Sequence, residues 1–218
     1  MNHFETQVNQ AIDTIAAVAT PHGRGGIAVI RISGPSVQTI GKDLLGHLPK
    51  TRYAEYLSFL AADRTTIDEG LAIYFQAPNS FTGEDVLELQ GHGGPVIANC
   101  LLQRVLQLGA RLARPGEFSE RAFLNSKLDL VQAEAISDLI DAESEQAARA
   151  AIRSLQGEFS KRIDGMREAL IALRMCLEAS IDFSDETIDV LKDSELKRKL
   201  NAILVDIREI KNLAKQGA

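Results

Sequence analysis

An abrupt change of pattern at Arg114-Pro115-Gly116 constrains the fold of this 218-residue chain more than any other feature. Before this tripeptide, short β-branched and apolar runs alternate with glycine- and proline-rich loops. After it, apolar residues recur at helical spacing and no proline follows. Arg-Pro-Gly itself favours a turn, because proline fixes φ and glycine tolerates positive φ. The pattern predicts an α+β domain over 1–118, followed by an all-α domain with long antiparallel helices over 119–218.

The first part of the chain alternates between strand and helix patterns. Strands are predicted over 14–19, 27–33, 53–60, 67–75, 86–90 and 110–113, and helices over 34–48 and 95–108. Pro95 suits the first position of its helix, where a backbone N–H would have no intrahelical partner. In the strand over 86–90, the alternation places Glu88 and Gln90 on one face and the two leucines on the other. These patterns do not determine the order of the strands.

The second part of the chain shows helical spacing throughout. Helices are predicted over 117–124, 130–141, 144–177 and 194–213. Asp129 and Gln132 have the spacing of a capping box, in which each side chain bonds the other residue's backbone N–H. Gly157 and Gly165 fall within the third helix, where each either weakens it by up to about 1 kcal/mol or marks a close helix approach. An acidic break over 182–189 separates the last two helices, which we expect to pack antiparallel.

Charge and cysteine content argue against several classes of protein. The 24 Lys and Arg residues against 30 Asp and Glu residues give a net charge of −6, which makes the chain a poor stand-alone binder of nucleic acid. Cys100 and Cys176 have neither disulfide-framework nor metal-ligand spacing, and we interpret both as buried apolar residues in a reducing compartment. Residues 1–10 lack the pattern of a signal peptide, and no 18-residue apolar run occurs. We therefore expect a soluble cytoplasmic protein without a membrane span.

Arg31 fits its surroundings least, since it interrupts the apolar strand over 27–33. A buried guanidinium must be paired, either with a structural carboxylate or with an anionic ligand. The segments HGRGG and GHGG are not followed by the Lys and Ser/Thr of a phosphate-binding loop, so they favour turns over nucleotide binding. His92, in the second segment, is either a site residue or, as we favour, a turn residue bonded to backbone. The acidic residues within 182–186 are interpreted as a solvated loop, and no metal site is predicted.

Several long segments resemble, in order, those of the MnmE (TrmE) family of tRNA modification GTPases. They are PHGRGGIAVIRISG at 21–34, PNSFTGEDVLELQGHGGP at 78–95, the segment 114–129 with QAEA at 132–135, SLQG at 154–157 and IDF at 181–183. The resemblance implies a tetrahydrofolate-binding first domain, like that of the glycine-cleavage aminomethyltransferase, followed by part of a helical domain. That family's GTP-binding domain, with its GTP, Mg²⁺ and K⁺, has no counterpart in these residues. We therefore expect no GTP hydrolysis by this chain alone, and we assign no catalytic residue.

The resemblance also implies a ligand and the residues that hold it. Three residues match that family's folate-contacting positions, namely Arg31, Glu88 and Lys127. One carboxylate can accept together from the adjacent N–H and amino groups of a pterin, and the two cations can face the anionic glutamate tail or the one-carbon-bearing part. A structural salt bridge is the alternative for each residue. The expected cofactor is 5-formyltetrahydrofolate or a related tetrahydrofolate, bound near a homodimer interface.

For the full-length family member, the resemblance implies a complex with the flavoprotein MnmG and, through it, with tRNA. The folate supplies the one-carbon unit for a carboxymethylaminomethyl-type group at C5 of the wobble uridine. Two alternatives stay open. One is a stand-alone folate-dependent aminomethyltransferase, which the first part allows but the long helices argue against. The other is a purely structural module for dimerisation or docking.

Overall fold

The computed structural model describes residues 13–21, 23–182 and 194–216. Their contacts divide them into two compact units, one ending at Leu128 and the other beginning at Asp129. The first unit contains strands and helices and the second contains helices, which confirms an α+β part followed by an all-α part. The predicted domain division after residue 118 stays a prediction. Among the described helices, none combines the length and the apolarity that a membrane span requires.

One mixed sheet organises the first unit. Its strands are β1 (Ile15–Val18), β2 (Ile27–Ser33), β3 (Ala54–Leu60), β4 (Thr66–Phe75), β5 (Val86–His92) and β6 (Arg111–Leu112). They lie in the order β3-β4-β5-β2-β1-β6. β1 and β6 pair in parallel, and the other neighbours pair antiparallel. The order places β2 directly beside β5, which brings two distant charged positions of the sequence together.

Two helices, α1 (Val37–Leu45) and α2 (Pro95–Gln107), pack with the strands in one buried core. Alternate strand residues, such as Ile30 and Leu89, supply the sheet side of this core. α1 ends at Gly46, which has a φ of 82° that glycine adopts without steric cost. Because successive side chains of a strand point to opposite faces, the residues between these core positions lie on the other face of the sheet.

The apolar residues along α2 are only partly buried. Ala98, Leu101 and Val105 are buried, since their spacing of three and four residues places them on one helical face. Val96 is 72% exposed and Cys100 is also exposed. The prediction that Cys100 is a buried apolar residue is therefore wrong.

The second unit begins with the predicted capping box. Before it, α3 (Glu117–Leu124) completes the described helices of the first unit. In α4 (Leu130–Ile140), the Asp129 carboxylate accepts from the Gln132 N–H at 2.8 Å, and Gln132 Oε1 accepts from the Asp129 N–H at 3.0 Å. The Gln132 side chain also donates to the Leu155 carbonyl at 2.9 Å. One predicted helix start is thus confirmed together with a tertiary bond that the local pattern did not indicate.

The single long helix predicted over 144–177 is wrong, because two helices occupy that segment. α5 (Glu145–Leu155) begins where the helix was predicted to begin, and the Ser144 hydroxyl accepts from the Ala147 N–H at 3.2 Å. Gly157 has a φ of 75° and separates α5 from α6 (Glu158–Asp182). A left-handed residue at this point ends one helix, since it cannot continue the right-handed spiral.

The last described helix, α7 (Ser194–Gln216), contacts α6 through a small apolar cluster. Leu173, Leu196 and Ile203 are its buried members, and Met166 and Cys176 pack against it. The contact supports the predicted pairing of the last two long helices. The acidic segment predicted to be a solvated loop continues past Asp182, and its residues Asp185 and Glu186 lie outside the described residues.

Candidate functional site

Arg31 and Glu88 meet on the sheet face opposite the apolar core. The register of β2 and β5 pairs their Cα atoms directly. Arg31 Nε donates to Glu88 Oε1 at 2.8 Å, and Arg31 Nη2 lies 2.7 Å from the same oxygen. The side chains are 28% and 16% exposed, respectively. The guanidinium is therefore paired, as a cation inside a strand must be, but water still reaches it.

Both contacts end on one carboxylate oxygen. Among the described residues, Glu88 Oε2 and Arg31 Nη1 have no hydrogen-bond partner. Every buried side-chain nitrogen or oxygen of that part of the chain does have a partner, so these two atoms are accessible. The pair consequently presents one charged acceptor and one charged donor to an incoming molecule.

Two phenylalanine rings lie within cation–π distance of Arg31. Its Cζ is 5.3 Å from the centroid of Phe81 and 5.7 Å from the centroid of Phe118. Phe81 belongs to the loop between β4 and β5, and Phe118 belongs to the first turn of α3. Such contacts are attractive, because the face of an aromatic ring carries negative charge density. Neither ring was among the predicted site residues. The sequence offers one signal for them, a bulky aromatic residue inside the polar stretches NSFTGED and GEFSER.

An ion network fixes the two segments that carry these rings. Arg121 of α3 donates to both carboxylate oxygens of Glu84 at 3.1 Å and to the Asp13 carboxylate at 2.6 Å. Burial of Arg121 opposes its charge, but Glu84 and Asp13 outweigh burial and raise the pKa of Arg121. The Ser33 hydroxyl lies 2.7 Å from Thr82 Oγ1 and donates to Glu84 Oε2 at 2.7 Å. Strand β2, the loop before β5 and α3 are thereby bonded to one another.

Glu117 anchors the start of α3. Its side chain is 3% exposed and accepts from Arg111 at 2.8 and 2.5 Å and from the Arg114 N–H at 2.7 Å. The bonds from Arg111 outweigh burial and lower the pKa of Glu117 to about 2. The Glu117 carboxylate therefore stays ionised at neutral pH. Its bonds fix the start of α3, where Phe118 is the next residue.

Lys127, the third predicted site residue, bonds the neighbouring loop instead of the pair. Its Nζ donates to the Pro78 carbonyl at 3.1 Å, and its side chain is exposed. The stem runs against Gly83, where an added Cβ would lie 3.1 Å from Lys127 Cγ. The structure thus brings Arg31 and Glu88 into contact and connects Lys127 to the loop that carries Phe81.

The His92 imidazole bonds the Asp68 side chain and His92 is the last residue of β5, so the prediction of a turn residue bonded to backbone is wrong. Its Nδ1 lies 2.7 Å from Asp68 Oδ1, and its backbone N–H donates to Asp68 Oδ2 at 2.7 Å. Burial opposes the ionisation of Asp68, but the two bonds to His92 prevail and lower the pKa of Asp68. The His92 imidazole is 73% exposed. No cluster of three or more histidine, cysteine or acidic residues suited to a metal ion occurs in the part of the chain that the structure describes.

A cleft of about 460 Å³ lies elsewhere in the first unit, between the loop after β1 and α2. Thr20, Arg24 and Asn99 are among its lining residues. Arg31, Glu88 and Lys127 do not line it. The predicted site residues therefore lie outside this cleft, and we regard the sheet face that carries the Arg31–Glu88 pair as the candidate site.

Comparison with known proteins identifies both units. Residues 14–127 match the family model described as "GTP-binding protein TrmE N-terminus". Residues 130–218 match the model described as "MnmE helical domain". The two matches meet close to the division between the compact units, and the first contains all three predicted site residues.

Curated relatives agree with the family models. Proteins named tRNA modification GTPase MnmE from Yersinia pseudotuberculosis serotype O:1b (strain IP 31758) and from Yersinia pestis bv. Antiqua (strain Angola) are each 59% identical over 207 residues. The similarity covers 94% of this chain but 46% of each relative. The chain therefore spans about half the length of the curated relatives that it matches.

Proposed function

The chain belongs to the MnmE (TrmE) family of tRNA modification GTPases, and on that premise we propose that its first unit binds a reduced folate at the Arg31–Glu88 pair. The ligand is 5-formyltetrahydrofolate or a related tetrahydrofolate. Bound there, it would supply the one-carbon unit for the modification. The residues of this chain would bind and orient it.

The observation that carries this proposal is the incomplete bonding of the ion pair. A purely structural salt bridge between neighbouring strands commonly uses both carboxylate oxygens in a fork. Here both contacts from Arg31 end on Glu88 Oε1, and Oε2 remains accessible. A pterin edge offers an N–H beside an amino group, and a carboxylate oxygen that lacks a partner is the acceptor that such an edge requires.

The charge of Lys127 is suited to the other end of a folate, its glutamate tail. The pterin is neutral, whereas the glutamate tail is anionic and needs a cation. Lys127 is exposed and is bonded to one carbonyl, at Pro78, so its ammonium has further donors to offer. We propose that Lys127 faces the tail or the one-carbon-bearing part, while Arg31 and Glu88 hold the ring system.

We further propose that this chain acts as part of a larger protein. In that protein the first unit, with a domain boundary near residue 118, would pair two subunits. Together with MnmG, the larger protein would form the carboxymethylaminomethyl-type modification at C5 of the tRNA wobble uridine in the cytoplasm. GTP, Mg²⁺ and K⁺ would be used by a domain with a phosphate-binding loop, a pattern that these 218 residues do not contain. The chain alone would not hydrolyse GTP.

Isothermal titration calorimetry of the 218-residue chain with 5-formyltetrahydrofolate tests the ligand. We expect saturable binding that weakens about tenfold or more in Glu88→Gln, because a charge-assisted hydrogen bond is replaced by a neutral one. Glu69→Gln is a matched control, since Glu69 is an exposed glutamate on β4 that bonds Ser58 and Tyr56. Circular dichroism establishes that each variant is folded.

The outcomes separate the alternatives. If titration of a folded wild-type chain with the folate gives no heat, the folate proposal is wrong. The structural module for docking is then the remaining alternative. Folate binding that is equal in wild type and Glu88→Gln would move the site away from the pair. Transfer of a one-carbon unit by the chain without any partner would favour a stand-alone aminomethyltransferase. Analytical ultracentrifugation of the same samples tests the proposed homodimer.

A further inference from the structure

The contact between Arg31 and Glu88 has an unusual geometry for an arginine and a carboxylate. Arginine and carboxylate groups favour a fork in which two nitrogens meet two oxygens. Arg31 instead places Nε and Nη2 against Glu88 Oε1 alone. A fork with both oxygens would occupy Oε2, the acceptor that we assign to the ligand.

The two phenylalanine rings supply a physical reason for this position. The guanidinium carbon lies 5.3 Å from the Phe81 centroid and 5.7 Å from the Phe118 centroid, both within the range of an attractive cation–π contact. The attraction of each ring competes with the pull of Oε2. A side chain with as much rotamer freedom as arginine needs such contacts to keep one orientation.

The segments that carry the rings are themselves fixed by hydrogen bonds and ion pairs. Phe81 lies in a loop that Thr82 and Glu84 bond to Ser33 of β2. Phe118 follows Glu117, whose buried carboxylate accepts from Arg111. Because Arg121 joins both segments in one network, the two rings are in place before any ligand arrives.

We propose that Phe81 and Phe118 are positioning residues that hold Arg31 on one oxygen of Glu88 and so keep Oε2 open for the ligand. This inference rests on the proposed folate site, but it makes a separate claim about how the site is kept ready. The rings act through Arg31 and not by contributing a polar group. Loss of a ring lets Arg31 form the fork with both oxygens, and the ligand must then break a bond in order to bind.

Calorimetry of ring variants with 5-formyltetrahydrofolate tests the proposal. Phe118→Leu and Phe81→Leu are each expected to weaken binding about tenfold, the effect of one cation–π contact in a partly desolvated site. Phe118→Tyr keeps the ring face and is expected to bind within about twofold of wild type. Tyr53→Leu is the matched control, because it removes a ring that lies 4.4 Å from Lys50 Nζ, a cation not assigned to the site.

A nuclear magnetic resonance signal reports whether the two rings lie against Arg31 in solution. In the unliganded chain, the Nε–H resonance of Arg31 is expected to shift in both leucine variants and to stay in place in Tyr53→Leu. If wild type binds folate while both leucine variants bind equally well, the rings have no positioning role and the folate site stands. If wild type does not bind, the proposed function fails first. If Phe118→Tyr binds as weakly as Phe118→Leu in a folded chain, the ring face is not what matters and the proposal is overturned.

Discussion

Arg121→Met is expected to lower the free energy of unfolding of the first unit by about 3 kcal/mol, because it leaves a poorly exposed carboxylate without its cation. The Glu84 side chain is 14% exposed and receives two bonds from Arg121 at 3.1 Å. Removal of one partner of a buried ion pair costs about 3–5 kcal/mol. We take the lower end, since Glu84 keeps its bond from Ser33 and Asp13 keeps its bonds from Arg111.

Urea denaturation followed by far-ultraviolet circular dichroism measures this change. The chain has no tryptophan, so intrinsic tryptophan fluorescence is not an option. Hydrogen exchange of peptides covering 80–84 and 117–124, read by mass spectrometry, assigns the loss to the first unit and not to the helices after Leu128. Both peptides are expected to lose protection together, because Arg121 connects them.

Two further variants test whether the unpaired Glu84 carboxylate causes the loss of stability. Arg121→Met with Glu84→Gln removes both charges and is expected to recover about half of the loss, since no uncompensated carboxylate remains. Arg149→Met is the control, because its bond to Glu145 joins two side chains that are 75% and 79% exposed and is expected to leave the urea midpoint unchanged. A loss below about 1 kcal/mol for Arg121→Met would mean that the network does not hold α3 to the sheet.

Three other variants test the effects of charge and of backbone conformation on stability. Glu117 has a pKa of about 2 in the folded chain against an ordinary 4.5, so the stability it contributes is fully present above pH 4.5 and is lost as the pH falls toward 2. The urea midpoint should therefore drop over that interval more steeply in wild type than in Glu117→Gln; equal slopes would contradict the assignment. Gly157→Ala should destabilise the second unit by about 1 kcal/mol, since its φ of 75° strains any residue with a Cβ. Gly165→Ala should stabilise it by about 0.5–1 kcal/mol, because that glycine is in the interior of α6 with nothing within 4 Å of an added Cβ; thermal midpoints of the pair that move in the same direction would refute this reading.

Local patterns predicted those elements whose determinants lie close together in the chain. The capping box of Asp129 and Gln132 needs three residues of context, and the structure has it as predicted. The break at Gly157 was missed because the apolar spacing continues across it from Ala148 to Leu177. The spacing of apolar residues indicates which face of a helix is apolar. It does not reveal a single residue with a left-handed backbone conformation.

The candidate site depended on information that no local pattern contains. Arg31 was recognisable as an anomaly in its strand, but its partner was fixed only by the order of the strands, which periodicity leaves open. Phe81 and Phe118 were missed because their role comes from proximity to Arg31 in space. Family resemblance indicated Lys127, and its bond to Pro78 emerged only with the fold.

The parallel pairing of β1 with β6 has a consequence for synthesis of the chain on the ribosome. Ile15 and Ala16 lie against Arg111 and Leu112, and Asp13 accepts from Arg121, which is 108 positions later. The edge of β1 that pairs with β6 therefore stays unpaired until nearly all of the first unit has left the exit tunnel. Contacts of such long sequence separation slow folding, and a nascent chain stalled before α3 would present that bare edge to chaperones or to other nascent chains.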